Sequence, residues 1–96
     1  MSPFDLKSNE ISTICRKYHV RSLSVFGSMA RDEAGPESDI DLLASFSKPI
    51  TLLQLVALER ELTSLFSRKV DLLTEASISP YLRARILQEQ RQVYAA

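Results

Sequence analysis

The chain contains one cysteine, Cys15, and one histidine, His19. A lone cysteine excludes an intrachain disulfide, and one Cys with one His cannot supply the usual ligand set of a zinc site. Cys15 falls at helical spacing with Ile11, Ile14 and Tyr18, where a thiol acts as a small buried hydrophobe. His19 stands where a helix should give way to a strand, and a structural role is expected of it. No stretch approaches the ~20 apolar residues of a membrane span. The N-terminus has no signal-peptide apolar core. A reducing, cytoplasmic setting and no membrane partner are therefore expected.

Charge is in excess of neither sign: twelve Lys and Arg offset twelve Asp and Glu, without a basic run. Sequence-independent binding to a phosphate backbone needs a cationic face. Direct nucleic-acid binding is not expected, although Arg83, Arg85 and Arg91 could form a local patch. Repeats and low-complexity segments are absent too. What is present is a chain of 96 residues, 45% of them hydrophobic, a length that suits one domain over residues 1–96. It leaves little for a second substrate-binding unit, so a large second substrate would have to bring its own contacts.

Ile11, Ile14, Cys15 and Tyr18 repeat at i, i+3, i+4, i+7, one apolar helix face. Ser2-Pro3 or Ser8 would start this helix, and it should end near His19. Val20–Phe26 reads as the first strand. Gly27-Ser28 breaks it, 29–34 reads as a short helix, and Gly35-Pro36 as a turn. In 39–46, the second strand, Ile40, Leu42, Ala44 and Phe46 share one face, with Asp39 and Asp41 on the other. Thr51 is a candidate N-cap for a helix to about Ser67, with Leu52, Leu55, Leu58, Leu62 and Leu65 as its apolar stripe and Glu59, Arg60 and Glu61 largely off it. The spacing predicts a third strand over 69–73 and, with Pro80 in its first turn, a last helix over 81–93. The order α-β-α-β-α-β-α implies an α/β or α+β sandwich around a small sheet.

Three features carry chemistry. Gly27-Ser28 lies between a strand and a short helix or helical turn, where glycine admits close ligand approach and free N–H groups favour an anion such as a triphosphate; alone it reads as a plain turn. In Ser38-Asp39-Ile40-Asp41, two carboxylates share one strand face with stems about 7 Å apart. A divalent cation would relieve their repulsion, and magnesium takes such hard oxygen ligands; alone, the pair is also read as a solvated strand end. Asp71, between Val70 and Leu72, is a charge within a short apolar strand. Beside the second strand it would complete a carboxylate triad, whereas on an edge it would discourage aggregation.

Taken together, Gly27-Ser28-Met29-Ala30-Arg31 and Ser38-Asp39-Ile40-Asp41-Leu42 resemble the nucleotidyltransferase superfamily that includes DNA polymerase beta, kanamycin nucleotidyltransferase and poly(A) polymerases. The form Gly-Ser-x-Ala-Arg then Ser-Asp-x-Asp-Leu is similar to the minimal nucleotidyltransferases of bacteria and archaea, and 80–87 resembles their tail. The resemblance implies the polymerase beta-like fold, a small mixed sheet packed by helices. It implies that Gly27 and Ser28 bind the triphosphate of ATP, with Arg31 and Ser38 as further candidates. Asp39, Asp41 and Asp71 would hold two magnesium ions, and Asp71 would help activate the nucleophile. It also implies a partner, a HEPN-domain ribonuclease toxin, silenced by transfer of AMP to a tyrosine.

One departure stands out: Asp32 replaces the glycine usual after Ala-Arg, adding negative charge near a phosphate site. Arg31 is open to a second reading, as a structural partner of Asp32, Glu33 or Glu37. Two other functions stay open. A non-catalytic antitoxin would neutralise its toxin by complex formation alone. Transfer to a small hydroxyl compound would normally need a larger substrate-binding region. Leu82, Ile86 and Val93 on the last helix form a candidate docking face.

Overall fold

The computed structural model describes residues 3–27 and 39–96. The short helix expected over 29–34, the Gly35-Pro36 turn and Asp32 lie outside the described residues. The first helical pattern is divided into α1 (Pro3–Leu6) and α2 (Ser8–Lys17), with Lys7 as the N-cap of α2. Lys7 reaches across to donate its Nζ to the carbonyl of Leu65, 2.6 Å away. That places a cation at the C-terminal end of a second helix, where the free carbonyls favour it.

His19 comes next with a φ of +60°, a left-handed conformation that turns the chain abruptly into β1 (Val20–Phe26). Its carbonyl accepts from the backbone N–H of Ser47 at 2.9 Å and from the Ser47 hydroxyl at 3.2 Å. His19 is thus a structural junction.

The second strand, β2 (Ile40–Phe46), runs antiparallel to β1. Thr51 caps α3 (Leu52–Phe66) through a complete capping box. Its hydroxyl accepts from Gln54 N at 3.1 Å, and Gln54 Oε1 accepts from Thr51 N at 2.9 Å. Leu58, Leu62 and Phe66 are buried, while Leu52, counted in the expected stripe, is exposed. It stands in the first turn.

Next, β3 (Val70–Thr74) pairs in parallel with β2. After a 3-10 turn (Glu75–Ser77), Ser79 caps α4 (Pro80–Glu89), with Pro80 in the first turn as expected.

The C-terminal segment departs from the sequence pattern. The last helix stops at Glu89 rather than 93, and Arg91–Ala95 forms a fourth strand, β4, antiparallel to β1. The order α-β-α-β-α-β-α is corrected accordingly: the chain closes on a strand, and the sheet reads β3-β2-β1-β4. The segment has no glycine or proline stop signal and is too short to show alternation. It becomes a strand because β1 offers it an unpaired edge. Val93 therefore belongs to β4, and Ile86 is buried, so the docking face expected on the last helix reduces to Leu82.

Both parallel connections, β2-α3-β3 and β3-α4-β4, should be right-handed. They travel in opposite directions across the sheet, so α3 and α4 should fall on opposite sides of it, α4 with only Ile86 buried. Burial agrees. One cluster joins Ile11 and Cys15 of α2 and Leu58, Leu62 and Phe66 of α3 to Leu23, Val25, Ile40, Leu42, Ala44, Val70 and Leu72 of the sheet. Leu43 and Ile86 are buried outside it.

The sheet edges are treated differently. Along the outer edge of β3, Val70 N donates to Thr63 Oγ1, Leu72 N to Glu59 Oε2 and Thr74 N to Ser77 Oγ, at 3.3, 3.2 and 3.0 Å. On β4 the register with β1 slips between Leu23 and Ser24. Both devices blunt an edge against further strand pairing. Among the described residues no helix is long and apolar enough to cross a membrane.

Candidate active site

The alternation of β2 places Asp41 opposite in face to the buried Ile40 and Leu42. Asp41 is the register partner of Phe26 on β1 and of Asp71 on β3. Paired positions share a face, so the two carboxylates stand side by side on the sheet face that α3 leaves open. The sequence allowed this adjacency only if the third strand lay beside the second. The parallel register supplies it. Asp39 is exposed and directly precedes β2, at the same end of the sheet.

Gly27 ends β1 with a φ of +70°. A Cβ built there would lie 2.6 Å from Oδ2 of Asp41, well inside contact distance. Glycine is favoured here on two counts, by the left-handed backbone and by the carboxylate against it. The turn and the Asp-x-Asp strand, separated in sequence by the 28–38 segment, are therefore one site in space. Ser28, Arg31 and Ser38 fall outside the described residues.

The electrostatics of the site are those of gathered negative charge. Partial burial pushes the Asp41 carboxyl above its ordinary value, and the charges of Asp71 and Asp39 push it further the same way. A cation would relieve both the burial cost and the repulsion. Asp41, Asp71 and Asp39 are hard oxygen donors, the class that magnesium takes, and in that respect they fit the ion. Among the described residues no set of three or more His, Cys, Asp or Glu side chains is already drawn tight enough to hold a metal unaided.

Cys15 is buried, and burial pushes its thiol up to about 12, the behaviour of an inert core residue. Two residues near the site are marked by no sequence motif. Glu59 and Thr63, one turn apart on α3, hold the β3 backbone on either side of Asp71. Their spacing is visible in the sequence, but their target is not.

Comparison with known proteins identifies the family. A family model described as polymerase beta, nucleotidyltransferase, matches residues 9–96. The chain is 46% identical over 74 residues to a Methanocaldococcus jannaschii protein provisionally named a protein adenylyltransferase, covering 76% of each. It is 36% identical over 73 residues to the protein adenylyltransferase MntA of Thermococcus cleftensis, covering 76% of this chain and 74% of that one.

Among solved structures, one described provisionally as a minimal nucleotidyltransferase superposes with a TM-score of 0.78 at 34% identity, over 95% of both chains. Two more distant ones share the fold. A toxin–antitoxin crystallised with AMP-PNP gives a TM-score of 0.77 at 22% identity, over 92% of this chain and 73% of that one. A complex of the tri-AMPylated Shewanella oneidensis HEPN toxin with MNT antitoxin gives 0.72 at 21%, over 97% and 73%. The chain belongs to the polymerase beta nucleotidyltransferase family, among the minimal nucleotidyltransferases whose relatives are named protein adenylyltransferases.

Proposed function

We propose that this nucleotidyltransferase is an antitoxin that moves AMP from magnesium–ATP to a tyrosine of a cognate HEPN ribonuclease toxin. The observation that carries the reading is the register of β2 on β3, which puts Asp41 beside Asp71, with Gly27 against Asp41. Gly27 and Ser28 would bind the triphosphate, with Arg31 and Ser38 as further candidates. Asp39, Asp41 and Asp71 would hold two magnesium ions, which would supply neutralisation of phosphate charge and a lowered pKa for the acceptor hydroxyl.

In this reading Asp71 receives the proton of that hydroxyl. The new bond joins the tyrosine oxygen to the α-phosphorus. The bond that breaks links the α-phosphorus to the bridging oxygen, which leaves with pyrophosphate. Ser28 and the backbone N–H groups after Gly27 stabilise the departing charge. Support comes from the relatives named as protein adenylyltransferases, from the structural neighbour crystallised with AMP-PNP and from the neighbour whose HEPN toxin is AMPylated. The setting consistent with this role is the cytoplasm.

The test is label transfer. The chain is co-expressed with its genomic neighbour and given α-phosphate-labelled ATP and magnesium, as wild type and as Asp39→Asn/Asp41→Asn. Label on a tyrosine of the neighbour, lost in the variant with its fold intact, is the expected result. A tight complex that inhibits the toxin without label in either protein would replace this reading with a purely binding antitoxin. Full transfer by the variant would overturn the site assignment.

A further inference from the structure

Asp71 stands on β3, the edge strand of the sheet, with β2 on one side only. An edge strand held on one side is free to fray or shift, and a carboxylate that must meet Asp41 and a reacting hydroxyl tolerates little displacement. The outer side of β3 is not left open. Val70 N donates to Thr63 Oγ1 at 3.3 Å and Leu72 N donates to Glu59 Oε2 at 3.2 Å. These are the residues immediately before and after Asp71.

Their side chains point into the core, where Val70 is 2% and Leu72 8% exposed, so their outward N–H groups lie in the plane of the sheet. Thr63 and Glu59 are four residues apart on one face of α3, which matches the two-residue repeat of those N–H groups on the strand. A helix and a strand are thereby locked in register at two points, with Asp71 between them.

We infer that Thr63 and Glu59 are positioning residues for the reaction, which clamp the outer edge of β3 and so hold Asp71 in line with Asp41. The inference rests on the proposed role of Asp71. It gives α3 a part in the chemistry although no residue of α3 belongs to the candidate site. The bond from Leu72 is to a carboxylate and is the stronger of the two kinds. Thr63 supplies a neutral acceptor on a β-branched side chain with few rotamers. Misplacement of a catalytic group by about 1 Å can cost about a hundredfold in rate, so loss of the clamp should be read in turnover.

The experiment compares Thr63→Val, Glu59→Ala, the two combined, and Glu59→Gln, which keeps an acceptor at the same reach. Asp71→Asn is the reference. Hydrogen exchange at the Val70 and Leu72 amides is measured beside label transfer from α-labelled ATP to the co-expressed neighbour. Tm is measured on each variant.

The clamp predicts faster exchange at those two amides and a turnover lowered about ten- to hundredfold in the combined variant. The KM for ATP should change less than twofold, and Glu59→Gln should stay within about twofold of wild type. A residue of merely structural value would lower Tm without this split between kcat and KM and without rescue by Gln. Unchanged turnover in the combined variant, beside an inactive Asp71→Asn, would overturn the clamp and leave the site reading intact. Full transfer by Asp71→Asn would overturn both, because the clamp would then have nothing to position.

Discussion

Gly27 joins two demands at one atom. Its φ of +70° lies where an L-residue costs roughly 1–2 kcal/mol, and a methyl there would meet Oδ2 of Asp41 at 2.6 Å. Gly27→Ala should therefore fold with a Tm lowered by about 4–8 °C per kcal/mol lost. Its transfer rate should fall further than the stability loss explains, because the Asp41 carboxylate must leave its place against Gly27. Thermal melts beside label transfer check this, and transfer at the wild-type rate would show that the carboxylate moves without cost. Cys15 gives the opposite case. Its thiol, buried and pushed up to about 12, offers almost no thiolate at neutral pH. Alkylation by iodoacetamide should be slow in the native protein and fast in urea, and rapid native labelling would contradict its core position.

At the scale of elements, α3 was legible and β4 was not, for reasons that differ in kind. Thr51 and Gln54 announce the start of α3 through local chemistry, and both capping bonds form. Thr51→Ala should cost about 1 kcal/mol and lower Tm while leaving transfer at 25 °C nearly unchanged, since the cap lies at the opposite end of the sheet from Asp41. A calorimetric scan with a transfer assay separates the two effects. By contrast, 91–95 carries no local signal for a strand. Gln90 leaves the helix in an extended conformation (φ −65°, ψ 146°), and only the free edge of β1 makes that exit favourable. Leu52 shows the same limit from the other side. It fits the helical stripe by spacing, but it stands in the first turn of α3 and is 74% exposed.

For the molecule as a whole, a polar tie at the C-terminal end of α2 joins it to α3 on the face away from the carboxylates. Tyr18 donates its hydroxyl to Glu61, and Lys17 Nζ lies 3.2 Å from both Glu61 oxygens. The bond from Tyr18, then that from Lys17, holds the Glu61 carboxyl below its ordinary value against the opposing effect of burial. The same bond raises the Tyr18 hydroxyl. The Glu61 contribution to stability is complete above the ordinary glutamate pKa of about 4.3 and is lost as pH falls through the lower folded value. That of Tyr18 is complete below about 10 and is lost as pH rises through its higher folded value. Much of the tie is exposed, so the effect is modest. Glu61→Gln should flatten the loss of stability below about pH 4.3 that wild type shows in urea titrations. An identical acid limb in both proteins would remove Glu61 from the account.

By itself the sequence determined the parts of this protein that depend on neighbours along the chain. These are the strand of Val20–Phe26, the capped helix after Thr51, the two-faced pattern of β2, and the Gly-Ser and Asp-x-Asp signature that marks the family. Periodicity and turn chemistry act over a few residues, so they survive in one dimension. Only the tertiary structure decided that β3 lies parallel beside β2, which places Asp71 against Asp41, and that Gly27 faces the same carboxylate. It also decided that β4 closes the sheet, and that Thr63 and Glu59 grip the strand bearing Asp71. Each of these joins elements distant in sequence. Each depends on which edge is vacant and which face a crossover covers, quantities that no local pattern of residues encodes.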